Sequence, residues 1–232
     1  MHIYGVNINH NLYETLFKEM TQYVSPEKKA KIHRFRKPVD QVRSLFGDLI
    51  IRYILCKHYG LHNNEIRYEY QEFGKPYLPL HPHYHFNISH SGDWVVGVVS
   101  TSLVGIDIEK ITDLKTDASS LALTAEEIEK FRKLNETERN AYFFELWTLK
   151  ESYSKATGKG LSEGLNTLRI STDNGIIHIL KDENTIDAYF QILECIAGYK
   201  FSLCSLSESL HKNIKLFPLN GFSEEAKAFF ML

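Results

Sequence analysis

The sequence lacks the features of a membrane protein, a secreted protein or a nucleic-acid-binding protein. No run approaches the roughly 20 apolar residues that a membrane-spanning helix needs, and the most apolar stretch, 49–56, contains Arg52. The amino terminus has neither the basic nor the apolar region of a signal peptide. The net charge is only −2, so no overall basic field attracts polyanions. We therefore expect a cytoplasmic protein that binds neither nucleic acid nor a membrane.

Cysteine is also scarce. The chain has three cysteines, Cys56, Cys195 and Cys204, which is an odd number, and none of them forms a Cys-x-x-Cys pair. Each lies in a segment rich in apolar residues. This pattern predicts reduced, buried thiols rather than disulfides or a zinc site, in agreement with a cytoplasmic protein.

Several common catalytic motifs are missing as well. The sequence contains no Walker-type phosphate loop and no Gly-x-Gly-x-x-Gly, which argues against ordinary kinases and dinucleotide enzymes. Ser89-His90-Ser91 could suggest a serine hydrolase, but the Gly-x-Ser-x-Gly elbow of that class is absent. Any phosphate-containing ligand must therefore be bound in another way.

The hydrophobic pattern changes repeatedly between helical and strand periods, which predicts an α+β protein. The predicted helices are 12–24, 26–35, 42–59, 124–134 and 139–157, and the predicted strands are 66–70, 85–91, 94–100, 104–109, 168–171, 176–180, 188–196 and 199–206. In both halves a helix, a Gly-Leu pair and a set of antiparallel strands follow one another. We therefore expect two similar α+β lobes, 1–103 and 104–232, with a ligand site in the cleft between them.

The candidate chemistry lies on one helix and one strand. Trp147, Lys150, Glu151, Ser154 and Lys155 recur at three- and four-residue steps, so they share a helix face. Within this set, Lys150 and Lys155 are five residues apart and diverge by about 140° around the helix axis, so we expect them to serve different groups. Asp107 and Glu109 alternate along a predicted strand and project from one side of it. We expect them to form, together with Glu151, a carboxylate set suited to Mg²⁺ or Mn²⁺. Nearby lysines then indicate a phosphorylated ligand, because a divalent cation and ammonium groups both offset the charge of phosphate oxygens.

Two features allow more than one interpretation. The basic helix that carries Lys28 and Lys31 is either a solvated face or a phosphate-binding edge. Glu127 stands three residues after Thr124, which is the spacing of a helix capping box, but it could also take part in catalysis.

Several motifs together resemble those of the Sfp-type 4′-phosphopantetheinyl transferases, in the same order along the chain. They are Gly74-Lys75-Pro76, residues 86–91 (Phe-Asn-Ile-Ser-His-Ser), 105–109 (Gly-Ile-Asp-Ile-Glu) and 147–152 (Trp-Thr-Leu-Lys-Glu-Ser), followed by Lys155 and 158–161. The resemblance implies a pseudo-twofold fold of two α+β lobes. It also implies transfer of the phosphopantetheine arm of coenzyme A to a serine hydroxyl of a peptidyl or acyl carrier protein domain, with release of adenosine 3′,5′-bisphosphate. Since two lobes of one chain would form the site, we expect a monomer.

The resemblance also implies a role for particular residues. Asp107, Glu109 and Glu151 would hold Mg²⁺, Lys155 would contact the pyrophosphate, and Glu151 would act as the base through a metal-held water. The 3′-phosphate side would be bound by Lys28, Lys31, Ser44, Ser89 and His90. The adenine would pack on Phe73, Gly74, Lys75, Pro76, Tyr77 and Leu78, with Lys75 near phosphate. The segment 110–123 departs from the family, because Ser119-Ser120-Leu121-Ala122-Leu123 stands where an arginine-aromatic cluster is expected.

Two other functions remain open at this point. The carboxylates and lysines would also suit a metal-dependent phosphodiesterase that acts on nucleotides. A catalytically silent module that only binds coenzyme A or a carrier protein is the third possibility.

Overall fold

The computed structural model describes residues 1–9, 13–114, 118–207, 210 and 214–231, without the side chains at 13, 118, 161 and 163. The α-helices are α1 (Tyr13–Met20), α2 (Pro26–His33), α3 (Pro38–Tyr59), α4 (Ala118–Ala122), α5 (Ala125–Lys133), α6 (Glu136–Thr157) and α7 (Leu219–Phe230). The strands are β1 (His2–Asn7), β2 (Glu69–Tyr70), β3 (Pro76–Tyr77), β4 (His85–Ser91), β5 (Trp94–Ser100), β6 (Val104–Lys110), β7 (Leu168–Asp173), β8 (Ile176–Lys181), β9 (Asn184–Ile186), β10 (Tyr189–Ile192), β11 (Tyr199–Ser205) and β12 (Ile214–Pro218). The predicted α+β class is confirmed.

The chain forms two compact units. Unit 1 comprises Met1–Glu69, Pro76–Thr101 and Lys212–Leu232, and unit 2 comprises Tyr70–Lys75 and Ser102–His211. The boundary lies two residues before the one expected for the lobes 1–103 and 104–232, and the units also differ from these lobes in two segments. The C-terminal segment belongs to unit 1 because β12 pairs in parallel with β1 and α7 packs on α3. The short segment Tyr70–Lys75 belongs to unit 2 because Lys75 bonds to main-chain carbonyls there.

Unit 1 is a four-stranded sheet, in the order β12-β1-β5-β4, packed against α3. Pro38 occupies the first turn of α3, where its missing N–H is not needed. Gly60 ends the helix in the left-handed conformation, with a φ of 68°. The helix starts four residues before the predicted Val42, since the hydrophobic period only becomes visible where the helix is buried. Its apolar residues contribute more to the core of this unit than those of any other single element.

Unit 2 contains the helix with the candidate chemistry. α6 packs against β6 and β11, which belong to a three-stranded sheet in the order β10-β11-β6. A capping box of Asn135 and Glu138 starts α6, three residues before the predicted position. A second sheet, β7-β8-β9, follows α6.

The strand predictions differ from the structure where the local sequence does not indicate the ends of a strand or the presence of a very short one. Of the predicted strand 66–70 only Glu69–Tyr70 is a strand, and 188–196 contracts to Tyr189–Ile192. β9 was not predicted, since its three residues carry no recognisable period.

The prediction of three buried thiols is wrong at one position. All three cysteines are free, and Cys56 and Cys204 are buried, but Cys195 is exposed. It lies after the end of β10, where alternation no longer directs the side chain inward. No helix among the described residues combines the length and apolar character needed to cross a membrane.

Candidate active site

The site is built where β6 passes very close to α6. A Cβ atom added to Gly105 would lie 1.9 Å from the Ser152 carbonyl oxygen and 2.4 Å from the Ala156 nitrogen. Both are main-chain atoms, so no side-chain rotation could make room. The absence of a side chain at Gly105 therefore allows β6 to lie directly on the C-terminal half of α6.

This close approach brings an acidic strand residue onto a basic helix residue. Asp107 shares the face of β6 with Gly105, and its Oδ1 accepts a hydrogen bond of 2.5 Å from Lys155 Nζ. The Asp107 side chain is only 3% exposed, whereas that of Lys155 is 26% exposed. Asp107 is thus held inside the unit, while the Lys155 side chain is partly exposed.

Glu151 lies one helical turn before Lys155 and is influenced by both members of this pair. It is 9% exposed. Burial raises its pKa, the positive charge of Lys155 lowers it and the negative charge of Asp107 raises it again. Within the described part of the chain, its buried Oε1 has no hydrogen-bond partner. A buried carboxylate oxygen in this state is expected to meet a ligand atom, a cation or a water.

Lys150, although adjacent to Glu151, points into the core. Its ammonium is fully buried and bonds to Glu127 Oε2 at 2.5 Å and to the Ala122 carbonyl at 2.7 Å. Burial lowers the pKa of Lys150, and the neighbouring Glu127 partly offsets this. Lys150 therefore stabilises the protein and does not face a substrate.

Glu127 has enough partners to explain its presence without catalysis. It forms the predicted capping box with Thr124, and its Oε1 accepts from the Ile170 main-chain N–H. With the Lys150 bond, both carboxylate oxygens are engaged.

Further contacts fix α6 on the sheet. Thr148 Oγ1 lies 2.8 Å from Ser202 Oγ, and Ser202 is the register partner of Asp107 across β6 and β11. Lys200 Nζ donates to Glu145 Oε2 at 2.5 Å, and Lys200 is the register partner of Glu109. Trp147 packs half-buried on the hydrophobic cluster of unit 2, with its ring 5.7 Å from that of Phe143. The two contacts between α6 and β11 were not predicted from the sequence, because they depend on how residues distant in the chain pack together.

The structure therefore brings Asp107, Glu151 and Lys155 together, and it places Glu109 further along the same face of β6 as Asp107. Among the described residues, no three His, Cys, Asp or Glu side chains are grouped closely enough to form a ready metal site. The oxygen donors and the buried Glu151 Oε1 suit a hard cation. In the structure, the positively charged group that contacts Asp107 is the ammonium of Lys155. The expected set of three metal ligands remains a prediction.

The residues expected at the 3′-phosphate lie on three elements of unit 1. Lys28 and Lys31 are on α2, Ser44 is on α3, and Ser89 and His90 are on β4, and α3 packs against both of the other elements. Lys28 is half-buried, and burial lowers its pKa, while Asp48 partly offsets this. Ser89 is 6% exposed, whereas Lys31 and His90 are exposed.

The residues expected to contact the adenine differ from one another in exposure and in their contacts. Phe73 is 59% exposed at a turn, and Gly74 adopts a φ of 81° in that turn. The Tyr77 hydroxyl donates to Glu69 Oε2 at 2.5 Å, next to Pro76. Leu78 is 1% exposed in the core of unit 1, so its side chain serves packing and cannot present a ligand-binding surface.

Comparison with known proteins assigns the family. The sequence model described as "4'-phosphopantetheinyl transferase superfamily" matches residues 103–204, and "4'-phosphopantetheinyl transferase, N-terminal" matches residues 12–102. The chain is 33% identical over 218 residues to 4′-phosphopantetheinyl transferase Sfp of Bacillus subtilis (strain 168), which covers 93% of this chain and 97% of the relative. The chain belongs to the 4′-phosphopantetheinyl transferase family. It is therefore a transferase, and the resemblance identified from the sequence motifs is confirmed.

Other family members show similar sequence identity and coverage. 4′-Phosphopantetheinyl transferase ffp of Bacillus subtilis is 32% identical, covering 93% of this chain and 97% of that protein. 4′-Phosphopantetheinyl transferase psf-1 of Bacillus pumilus is 35% identical, covering 86% of each chain. The similarity thus extends over both units.

Proposed function

We propose that this 4′-phosphopantetheinyl transferase uses coenzyme A as donor and a serine hydroxyl of a peptidyl or acyl carrier protein domain as acceptor. The observation that carries the proposal is the position of Glu151, buried and with Oε1 unsatisfied within the described residues, beside the Asp107–Lys155 pair. A base and an accessible ammonium on one helix are what transfer of a phosphate-linked group to a hydroxyl requires.

In the proposed reaction the serine oxygen attacks the β-phosphorus of coenzyme A and forms a new P–O bond. The P–O bond to the adenosine portion breaks, and adenosine 3′,5′-bisphosphate leaves with the electron pair. Glu151 takes the serine proton. Its raised pKa makes it a stronger base than an exposed carboxylate.

Lys155 acts in this proposal on the charge of the pyrophosphate. Because its side chain is partly exposed, its ammonium can exchange part of its bond to Asp107 for a bond to a phosphate oxygen. Asp107 then holds the lysine side chain in position at the end of the helix.

We further propose that Mg²⁺, or Mn²⁺, is bound by Asp107, Glu109 and Glu151. When bound, such an ion would neutralise charge that develops on the phosphate oxygens. The support for this is the all-oxygen donor set and the buried Glu151 oxygen without a hydrogen-bond partner in the described part of the chain.

Further residues are proposed to bind the remaining part of the donor. Lys28, Lys31, Ser44, Ser89 and His90 offer two ammonium groups, two hydroxyls and an imidazole, which suit a phosphate. The exposed ring of Phe73 offers a stacking surface for a base. A cytoplasmic monomer is the state in which we expect the enzyme to act.

The test is incubation of the full chain with coenzyme A, Mg²⁺ and a panel of apo-carrier domains, followed by intact-mass measurement of the carrier. We expect the carrier mass to rise by one phosphopantetheine group. Unchanged mass across the panel would contradict the proposal. Breakdown of coenzyme A or nucleotides without a carrier would instead favour a phosphodiesterase, and binding of coenzyme A without turnover would favour a silent binding module.

A further inference from the structure

Lys75 lies in the segment expected to meet the donor, but its ammonium is directed elsewhere. Lys75 Nζ donates to the main-chain carbonyl of Lys155 at 2.6 Å and to that of Ala156 at 2.8 Å, and it lies 3.4 Å from the Val104 carbonyl. The first two carbonyls belong to the last turn of α6, and the third belongs to the first residue of β6. One ammonium thus contacts the ends of the two elements that carry Glu151, Lys155 and Asp107.

These carbonyls need a partner from outside the helix. The last four carbonyls of a helix have no intrahelical N–H to accept from. At the end of α6 the Ser154 carbonyl accepts from the Gly158 N–H and from Thr157 Oγ1. Lys75 serves the next two. A cation is also favoured at this end, because the helix dipole is negative there.

The ammonium is held in place by a tight turn. The Gln71 N–H donates to the Lys75 carbonyl at 2.9 Å, and the Gly74 N–H donates to the Gln71 carbonyl at 2.8 Å. Lys75 is half-buried, and burial lowers its pKa to about 8. A Cβ atom at Gly158 would lie 3.2 Å from Lys75 Cδ, so the helix end and the lysine stem are in close contact.

We propose that Lys75 is a positioning residue, which fixes the C-terminal turn of α6 against β6 and so holds Lys155 and Glu151 in register with Asp107. The inference rests on the proposed function and deepens it. It assigns to Lys75 a role different from the phosphate contact that the family resemblance implies. It also means that the turn bearing Phe73 is anchored to the catalytic helix, so a ligand stacked on that turn would contact a segment attached to the reacting groups.

The test compares Lys75→Met, Lys75→Arg and the control Lys215→Met in steady-state transfer from coenzyme A to a carrier. Lys215 is an exposed lysine of unit 1 that is paired with Glu225 at 3.1 Å. A misplacement of about 1 Å can cost about a hundredfold in rate, so we expect Lys75→Met to lower kcat by at least about tenfold. The KM for coenzyme A should change by less than about threefold, because little ground-state binding is lost. Lys75→Arg keeps charge and donors and should recover most of kcat, and Lys215→Met should match the wild type.

A second donor separates positioning from a phosphate contact. With 3′-dephospho-coenzyme A, a positioning role predicts the same fractional loss of kcat in Lys75→Met as with coenzyme A. A rise in KM alone, present with coenzyme A and absent with the dephosphorylated donor, would overturn the proposal. So would a Lys75→Arg enzyme as impaired as Lys75→Met.

A measurement without turnover keeps the inference separate from the proposed function. Hydrogen exchange of the peptide that covers the end of α6 should be faster in Lys75→Met than in the wild type and in Lys215→Met. Equal exchange would overturn the inference even if transfer is observed, whereas faster exchange in a chain that transfers nothing would refute only the function. If Lys75→Met does not fold, Gly158→Ala crowds the same lysine at a φ of 79° and should reproduce the faster exchange; unchanged exchange in that variant would contradict the inference.

Discussion

Replacement of Gly105 by alanine should damage both stability and catalysis. The new Cβ atom would lie 1.9 Å from the Ser152 carbonyl oxygen, 2.4 Å from the Ala156 nitrogen and 3.0 Å from the Lys155 carbonyl carbon. Since carbon and oxygen atoms that are not bonded need more than about 3 Å, β6 and α6 must separate by about 1 Å or more. Overpacking of this kind typically costs about 1–3 kcal/mol.

The same displacement would move Asp107 away from Lys155 and Glu151. A shift of about 1 Å in a catalytic group can lower the rate by about a hundredfold. We therefore expect Gly105→Ala to lower the melting temperature and, at a temperature where it is folded, to lower kcat by between about ten- and a hundredfold. Thermal unfolding and the carrier-loading assay measure the two effects.

Gly97→Ala is the matched control. Gly97 is a strand glycine of unit 1 that faces α3, and a Cβ there would meet only side-chain atoms of Ile50 and Ile51. Side chains can adjust, so we expect a smaller loss of stability and no change in kcat of the folded enzyme. A Gly105→Ala protein with wild-type melting temperature and turnover would refute the packing argument, and an equal loss of kcat in Gly97→Ala would refute its specificity.

Two further predictions concern stability. Lys150→Met leaves Glu127 charged and buried, so it should lower the free energy of unfolding in denaturant by about 3–5 kcal/mol. The double variant with Glu127→Gln should recover part of this stability. Additive losses in the double variant would contradict the pairing of the two residues. The second concerns His2, whose pKa is lowered to about 4 by burial, by the charge of the neighbouring His58 and by the N-terminal ammonium. Because the unfolded chain binds the proton more readily, stability should fall as pH drops from about 6.5 to 4. The melting temperature of His2→Asn should fall less over this pH range than that of the wild type. An equal fall in the two proteins would contradict the assignment of this pH dependence to His2.

Part of the site was predictable because it follows from local periods. The alternation of β6 predicted that Asp107 and Glu109 share a face, and the capping-box spacing predicted the bonds between Thr124 and Glu127. The five-residue step from Lys150 to Lys155 predicted that the two lysines serve different groups. In the structure they do, since Lys150 bonds to buried Glu127 and Lys155 bonds to Asp107.

Other parts of the site depend on contacts distant in sequence. Nothing near Gly105 reveals that a main-chain carbonyl of α6 lies against it, because that contact depends on how the strand and the helix pack. The anchoring role of Lys75 is hidden for the same reason, since its partners are about 80 residues further along the chain. The family resemblance implied a phosphate contact for Lys75, whereas in the structure its ammonium bonds to main-chain carbonyls at the end of α6.

Some fold predictions failed where the signal is short. The three-residue strand β9 gives no period to detect. The C-terminal strand and helix join unit 1 through a parallel pairing with β1, which cannot be inferred from their own sequences. The exposed Cys195 follows from the early end of β10.

Glu151 is the proposed base in transfer of phosphopantetheine from coenzyme A. Its role is tested by the initial rate of carrier loading, measured by intact mass, for the wild type and for a Glu151→Gln variant with the same melting temperature. We expect loading by the wild type and a rate at least about a hundredfold lower in the variant, because the amide keeps the size of the side chain but neither accepts the proton nor offers the anionic oxygen proposed to bind Mg²⁺. Equal rates of carrier loading by the two proteins would show that Glu151 has neither role.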